Sequence, residues 1–220
     1  MKRIPAPHPT HRLIPSKFPP IGLFETVATS GDLEAVMELA GWTNDRLVAE
    51  RLARLPRSEW AYGRANASIV MAAFLHAAPG GGRFSSPELG AWYASAELPA
   101  AAAEVGHHLR REAVARDVPG LTRTFRAYTS RLAGAHLDLC SEPHDDLLAP
   151  DSYAAGQVFG EAERASGGDG IVYPSVRFRG GVNVVAYRPR KVLDVVQAEH
   201  FEVAVRAAER RIEVTRLGPK

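Results

Sequence analysis

One cysteine, Cys140, stands in the whole chain, so no internal disulfide can form and no cysteine-based zinc site can be assembled. The plain expectation is a reducing, cytoplasmic setting. Long apolar runs are also missing. The longest, residues 69–75 and 98–103, fall far short of the roughly 20 residues that a spanning helix needs, and the first residues lack the apolar core of a secretory signal. Both runs read as interior material of a protein that is neither inserted nor exported. An excess of one charge is absent too. Against 25 Asp and Glu stand 27 Lys and Arg, a net +2 that gives no support to nucleic acid or an anionic membrane as direct partner. No internal repeat and no linker divides the chain. What remains is 220 residues, 45% apolar and 24% charged, enough for one globular domain with a real core and a short appendage.

The appendage is residues 1–22. Six prolines (Pro5, Pro7, Pro9, Pro15, Pro19, Pro20) and four cations (Lys2, Arg3, Arg12, Lys17), with no acid, predict an extended arm, read first as a solvated and partly ordered terminus, with wrapping of the domain or contact with a partner as the alternative. Residues 23–220 then read as a single domain. Helical spacing begins at Asp32, which can cap, and Gly41 can end that helix. A second short helix runs from near Thr43 through Arg46 to Pro56. Residues 65–76 are apolar on all sides and read as a buried helix, capped by Asn66 or Ser68, with a buried strand as the alternative. After Gly80-Gly81-Gly82, residues 90–95 predict a strand and residues 98–116 a helix whose Leu98, Ala102, Val105 and Leu109 share the core face. Strands follow at 121–132 and 136–140, a helix at 153–165, and further strands at 170–173, 182–187, near Leu193 and at 211–217. Helices first and mixed short strands afterwards make the class α+β.

Three places can hold chemistry. The glycine run delivers Arg83, Phe84 and Ser85 on a backbone able to approach a ligand, and a guanidinium there suits a phosphate or carboxylate. It is no P-loop, lacking the Gly-Lys-Ser/Thr ending. On spacing alone a surface loop, with Arg83 solvated or paired with Glu88, is the plainer reading. Eleven residues after Tyr93, Glu104 sits on the long helix away from its apolar stripe, with only Ala100, Ala101 and His108 beside it. Such a carboxylate can stabilise positive charge developing on a sugar or bond a ribose hydroxyl, and it can equally be a solvated side chain. Third, Asp169 to Arg177 is a strand that ends at Pro174 with Ser175 and Arg177 just beyond, either lining a cleft or facing water. His76, His107 and His108 lack the spacing of metal ligands, so no metal is expected.

Taken together these residues resemble the RES domain, a family of bacterial toxins of toxin-antitoxin operons, over about residues 60–188. The resemblance lies in Met71-Ala72-Ala73-Phe74-Leu75-His76, Gly82-Arg83-Phe84-Ser85, Gly90-Ala91-Trp92-Tyr93-Ala94 with Glu104 after it, and Asp169 to Arg177; the upstream Trp42-Thr43-Asn44-Asp45-Arg46-Leu47 resembles one branch. It implies an ADP-ribosyltransferase-like fold of mixed sheets flanked by helices. It also implies NAD as substrate, cut between nicotinamide and ribose by hydrolysis or phosphorolysis, or ADP-ribose passed to a host protein, or a non-catalytic binding module of the same fold. On that footing Glu104 stabilises the cationic ribosyl group, Tyr93 stacks beside nicotinamide or ribose, and Arg83 holds pyrophosphate or an acceptor phosphate. Ser175 orients the nicotinamide end or the ribose, and Arg46, with Arg64 as rival, supplies a second guanidinium. Family members often carry serine or threonine next to the glutamine of the helix before the last motif, where this chain has Ala154, Ala155 and Gly156 ahead of Gln157. The implied partner is a helix-turn-helix, Xre-type antitoxin, which would make any DNA contact and through which any oligomer would form.

Overall fold

The computed structural model describes residues 1–17, 22–39 and 46–218. Within them the order is β1 (Arg3–Ile4), β2 (Thr10–Pro15), α1 (Ser30–Leu39), α2 (Arg46–Ala53), α3 (Ala67–Leu75), β3 (Trp92–Ser95), α4 (Leu98–Ala115), β4 (Gly120–Leu132) and β5 (His136–Asp138). Then come α5 (Ala154–Ala165), β6 (Gly170–Pro174), β7 (Val182–Ala186), β8 (Val192–Arg206) and β9 (Ile212–Leu217). The class is α+β. Gly41 as a helix end, Thr43 as a helix start and the motif from Trp42 to Asp45 lie outside the described residues. Helix α1 starts earlier than Asp32, because Thr29 is its cap. The Thr29 hydroxyl accepts the Asp32 N–H at 3.1 Å while the Asp32 carboxylate accepts the Thr29 N–H at 3.2 Å, a reciprocal capping box. At α3 neither expected cap operates. Asn66 has φ +58° and donates to the Val195 carbonyl, and the orphan Ser68 N–H is taken by Glu25 at 3.1 Å.

The strands form one mixed sheet in the order β1-β5-β6-β7-β3-β2-β4-β8-β9, antiparallel everywhere except between β5 and β6. The arm is therefore no solvated end: β2 lies inside the sheet, pairs with β4 over six residues, and buries Thr10 completely. Its prolines tolerate this because they bracket the strand at Pro9 and Pro15 rather than interrupt it. On its other side β2 meets β3 at one pair only, His11 with Ser95, whereas β3 pairs four residues with β7. The sheet is thus nearly split between β2 and β3, and a cleft opens in that wedge.

Three apolar clusters hold the halves. Helices α1 to α3 pack Met37, Val70 and Phe74 against Trp92 and Val184. Helix α4 sets Ala102 and Leu109, from its expected stripe, against Phe125 and Val203 of β4 and β8. The opposite face of β6 and β7 buries Ile171, Tyr173 and Val185 with Phe84. Alternation along β7 sends Val184 and Val185 to different clusters, so this strand is covered on both faces.

Candidate active site

The wedge is a cavity of about 520 Å³, within the range of small-molecule sites. Arg83, Tyr93 and Glu104 all line it, together with Arg12, Asn183 and Tyr153. The glycine turn is what brings Arg83 there. Gly81 takes φ +68°, and a Cβ on Gly82 would stand 2.4 Å from the Tyr93 hydroxyl, so only a bare backbone can lie on that ring. From behind, Gly156 and Gly160 of α5 bring the helix backbone against the Arg83 and Phe84 carbonyls. A Cβ would meet those oxygens at 2.4 and 2.1 Å. This close approach explains why glycine precedes Gln157, whose amide donates to the Gly80 and Gly82 carbonyls at 2.8 and 3.0 Å.

Arg83 is 7% exposed, and it is neither solvated nor bonded to Glu88, which pairs with Arg54. Its guanidinium lies over the Tyr153 ring at 4.8 Å, and Nη1 donates to the Ala149 carbonyl at 2.8 Å. Nη2 and Nε carry no hydrogen bond among the described residues, which leaves one edge of the fork for an anion. Tyr93 faces the cavity with its ring, but its hydroxyl is committed. It accepts the Phe84 N–H at 2.9 Å and shares a bond with Ser85 at 3.0 Å, and burial pushes its pKa up to about 12. Tyr93 is thus an anchor of the glycine loop as well as a wall.

Glu104 projects from α4 with Ala101, Val105 and His108 beside it on the wall. Its Oε1 accepts from Asn183 Nδ2 at 2.8 Å and from Ser175 Oγ at 3.2 Å, and its Oε2 accepts from no described residue. Ser175 does not line the cavity. It stands behind the carboxylate, its hydroxyl also accepting the N–H groups of Phe178 and Arg177. Arg46 is placed elsewhere: its side chain is 90% exposed and pairs with Glu50 one turn along α2. Arg64 also misses the cavity, donating to the Pro189 and Arg190 carbonyls. Arg177, half-buried, donates to the Pro150 carbonyl at the surface. Among the described residues no cluster of His, Cys, Asp and Glu could hold a metal ion.

The second guanidinium comes from Arg12 on β2. It stacks on Trp92 at 4.7 Å and donates to the Tyr93 carbonyl at 2.8 Å, while its Nε is sealed from solvent without a partner. Burial lowers its pKa to about 10, so it stays charged, and no described carboxylate pairs with it. An unpaired cation in a shielded wall is an anion site in waiting. Sequence reasoning missed Arg12 because it stood in a proline-rich arm; the apolar Leu13-Ile14 beside it was the only sign of a strand. Asn183 was missed too, though a lone amide among valines was visible.

A cleft with two guanidinia, one half-satisfied carboxylate and aromatic walls opens in the gap of a split α+β sheet. The RES domain profile matches residues 51–206, and the chain belongs to that family. No curated protein matches it. Among solved structures it is similar to the M. tuberculosis MbcT-MbcA toxin-antitoxin complex, at 16% identity and TM-score 0.47, over 90% of this chain and 87% of that one.

Proposed function

We propose that the cleft binds NAD and cuts the bond between nicotinamide and ribose, by hydrolysis or phosphorolysis, and that the protein is a toxin silenced by an antitoxin. The observation that carries the enzymatic part is the convergence of Arg12, Arg83 and Glu104 on one cavity. The two guanidinia would hold the pyrophosphate. As the C1′–N bond breaks, the electron pair leaves with nicotinamide, which becomes neutral, and positive charge moves onto the ribose. Glu104 Oε2 stands ready to stabilise that charge. Water then gives ADP-ribose and a proton, or phosphate gives ADP-ribose 1″-phosphate. No step asks for a metal. The toxin part rests on the family resemblance, as does the helix-turn-helix partner.

The test is to incubate the purified chain with labelled NAD, with and without inorganic phosphate, and to follow free nicotinamide and label on protein. Release that needs phosphate identifies phosphorolysis, release without it identifies hydrolysis, and label retained on protein identifies transfer. Glu104→Gln keeps the shape and removes the charge. It is expected to slow release at least 100-fold with an unchanged circular dichroism spectrum, the magnitude typical of losing one group that stabilises the transition state. Unchanged release by that variant would remove Glu104 from the mechanism. Expression should arrest growth, and co-expression of a neighbouring DNA-binding protein should relieve the arrest.

A further inference from the structure

Strand β7 reads Val182-Asn183-Val184-Val185, and the amide in that apolar run is 2% exposed. A buried amide is costly unless its polar atoms are bonded, so its partners show what holds it there. The register sets Ser95 of β3 and Tyr173 of β6 directly opposite Asn183, and these three side chains form a row on the cavity face of the sheet. Ser95, 3% exposed, donates its hydroxyl to Asn183 Oδ1 at 2.7 Å, and Asn183 Nδ2 donates to Glu104 Oε1 at 2.8 Å. The orientation of the amide follows from chemistry: a carboxylate only accepts, so the NH₂ must face Glu104, and the serine proton then turns toward the amide oxygen.

From this relay we infer that Asn183 is the positioning residue for Glu104, locking the carboxylate so that Oε1 is occupied from the sheet and Oε2 alone faces the ligand. A glutamate on a helix face has three rotatable torsions, and a free one must be ordered at each turnover. Here the strands order it in advance. Ser175 adds the second donor to the same oxygen, from the loop after β6. The carboxylate is thus held by β3 through β7 and by the loop, across from the helix that carries it. Positioning of this kind favours the transition state and leaves ground-state binding, carried by the guanidinia, untouched.

The inference rests on the NAD-cleaving reading, and Asn183→Asp separates the two. The substitution keeps the shape and the oxygen that Ser95 bonds, but sets a carboxylate against Glu104. Two such groups in contact cannot both stay ionised comfortably, and the pair takes up a proton as the pH falls, restoring an O–H donor to Oε1. In nicotinamide release, kcat of Asn183→Asp is expected to fall at least tenfold at pH 8 and to recover to within a few-fold of wild type near pH 6. KM should stay within twofold. Asn183→Leu, of similar size with no donor, should lose kcat at every pH. His108 on α4, held below its usual pKa chiefly by burial, and Tyr173 on β6, held well above its own by burial, both feel the charge of Glu104, and Arg83 and Arg177 also act on His108; all are unchanged, so the wild-type profile controls for them. If neither variant folds, Ser95→Ala carries the test, with kcat expected to fall several-fold because the amide loses the anchor on its oxygen and holds Glu104 less rigidly. Wild-type protein that releases no nicotinamide overturns both readings. Wild-type turnover with kcat unaffected in the variants, or a loss expressed in KM, overturns the positioning role alone.

Discussion

Arg12 and Arg83 divide the anion site unequally. Arg83 already gives Nη1 to the carbonyls of Ala149 and Leu147, at 2.8 and 3.4 Å, so part of its strength goes to holding the segment before α5. Arg12 gives Nη1 to one backbone carbonyl, and no described residue accepts from its Nη2. It is the guanidinium with most to gain from a ligand, because a hydrogen bond to a charged group contributes about 1.5–3 kcal/mol. Arg12→Ala should therefore lower kcat/KM for NAD by roughly tenfold to 100-fold, chiefly through KM. Steady-state nicotinamide release against NAD concentration checks this. A loss confined to kcat would place Arg12 beside the reacting bond instead of on the phosphates.

Among the elements, α5 shows how small residues make a site. Gly156 and Gly160 are four apart and share one helix face, on which the Arg83 and Phe84 backbone lies. Gly160→Ala would drive a methyl to 2.1 Å from the Phe84 carbonyl, which also accepts the buried Tyr187 hydroxyl at 2.8 Å. Helix propensity alone favours alanine by about 1 kcal/mol. Overpacking costs about 1–3 kcal/mol and dominates here because the obstacle is backbone. The variant should melt several degrees lower, by calorimetry or circular dichroism, where an exposed helical Gly→Ala change would raise Tm. The same elements show what the sequence makes legible. Helices α3 and α4 and strands β4, β6 and β7 follow their apolar periods closely, because each buries a face or both against the core. Strand β2 was hidden: the prolines around it suggest an isolated arm, and its place in the sheet depends on long-range pairing with β4. Strand β8 shows only a trace near Leu193, because its exposed face alternates charged and polar residues such as Asp194, Gln197 and Glu199. Of the site, Arg83, Tyr93 and Glu104 stand out through the resemblance, because by spacing alone Arg83 and Glu104 suit solvent. Ser175 misled because a hydroxyl past a strand end looks the same whether it faces ligand or carboxylate. Arg46 misled because an arginine on a short helix gives no sign of which side it faces.

Across the molecule, the far end of the sheet from β9 is sensitive to acid. His136 on β5 is fully buried, paired in register with Ile4 of β1, and burial lowers its pKa to about 4, Asp169 opposing the shift and Lys191 and Arg3 reinforcing it. In the unfolded chain a histidine titrates near 6.5. Between those values the unfolded state binds the proton and the folded state does not, so stability is full above about pH 6.5 and falls as the pH drops toward 4. The difference is worth about 3 kcal/mol for this residue, a large share of the 5–15 kcal/mol that holds a typical domain. His107, its pKa also lowered to about 4 chiefly by burial, pulls the same way. Carboxylates held below their usual range, Glu112 by Arg123 and Asp138 by Ser141, add their loss only below about pH 5, which leaves the window from 6.5 to about 5 to the histidines. Unfolding in urea at several pH values should thus show free energy declining through that window in the wild type and declining less in His136→Leu, which keeps the volume and removes the titration. Parallel slopes in the two proteins would mean that the β1–β5 edge opens and hydrates its histidine before the molecule unfolds.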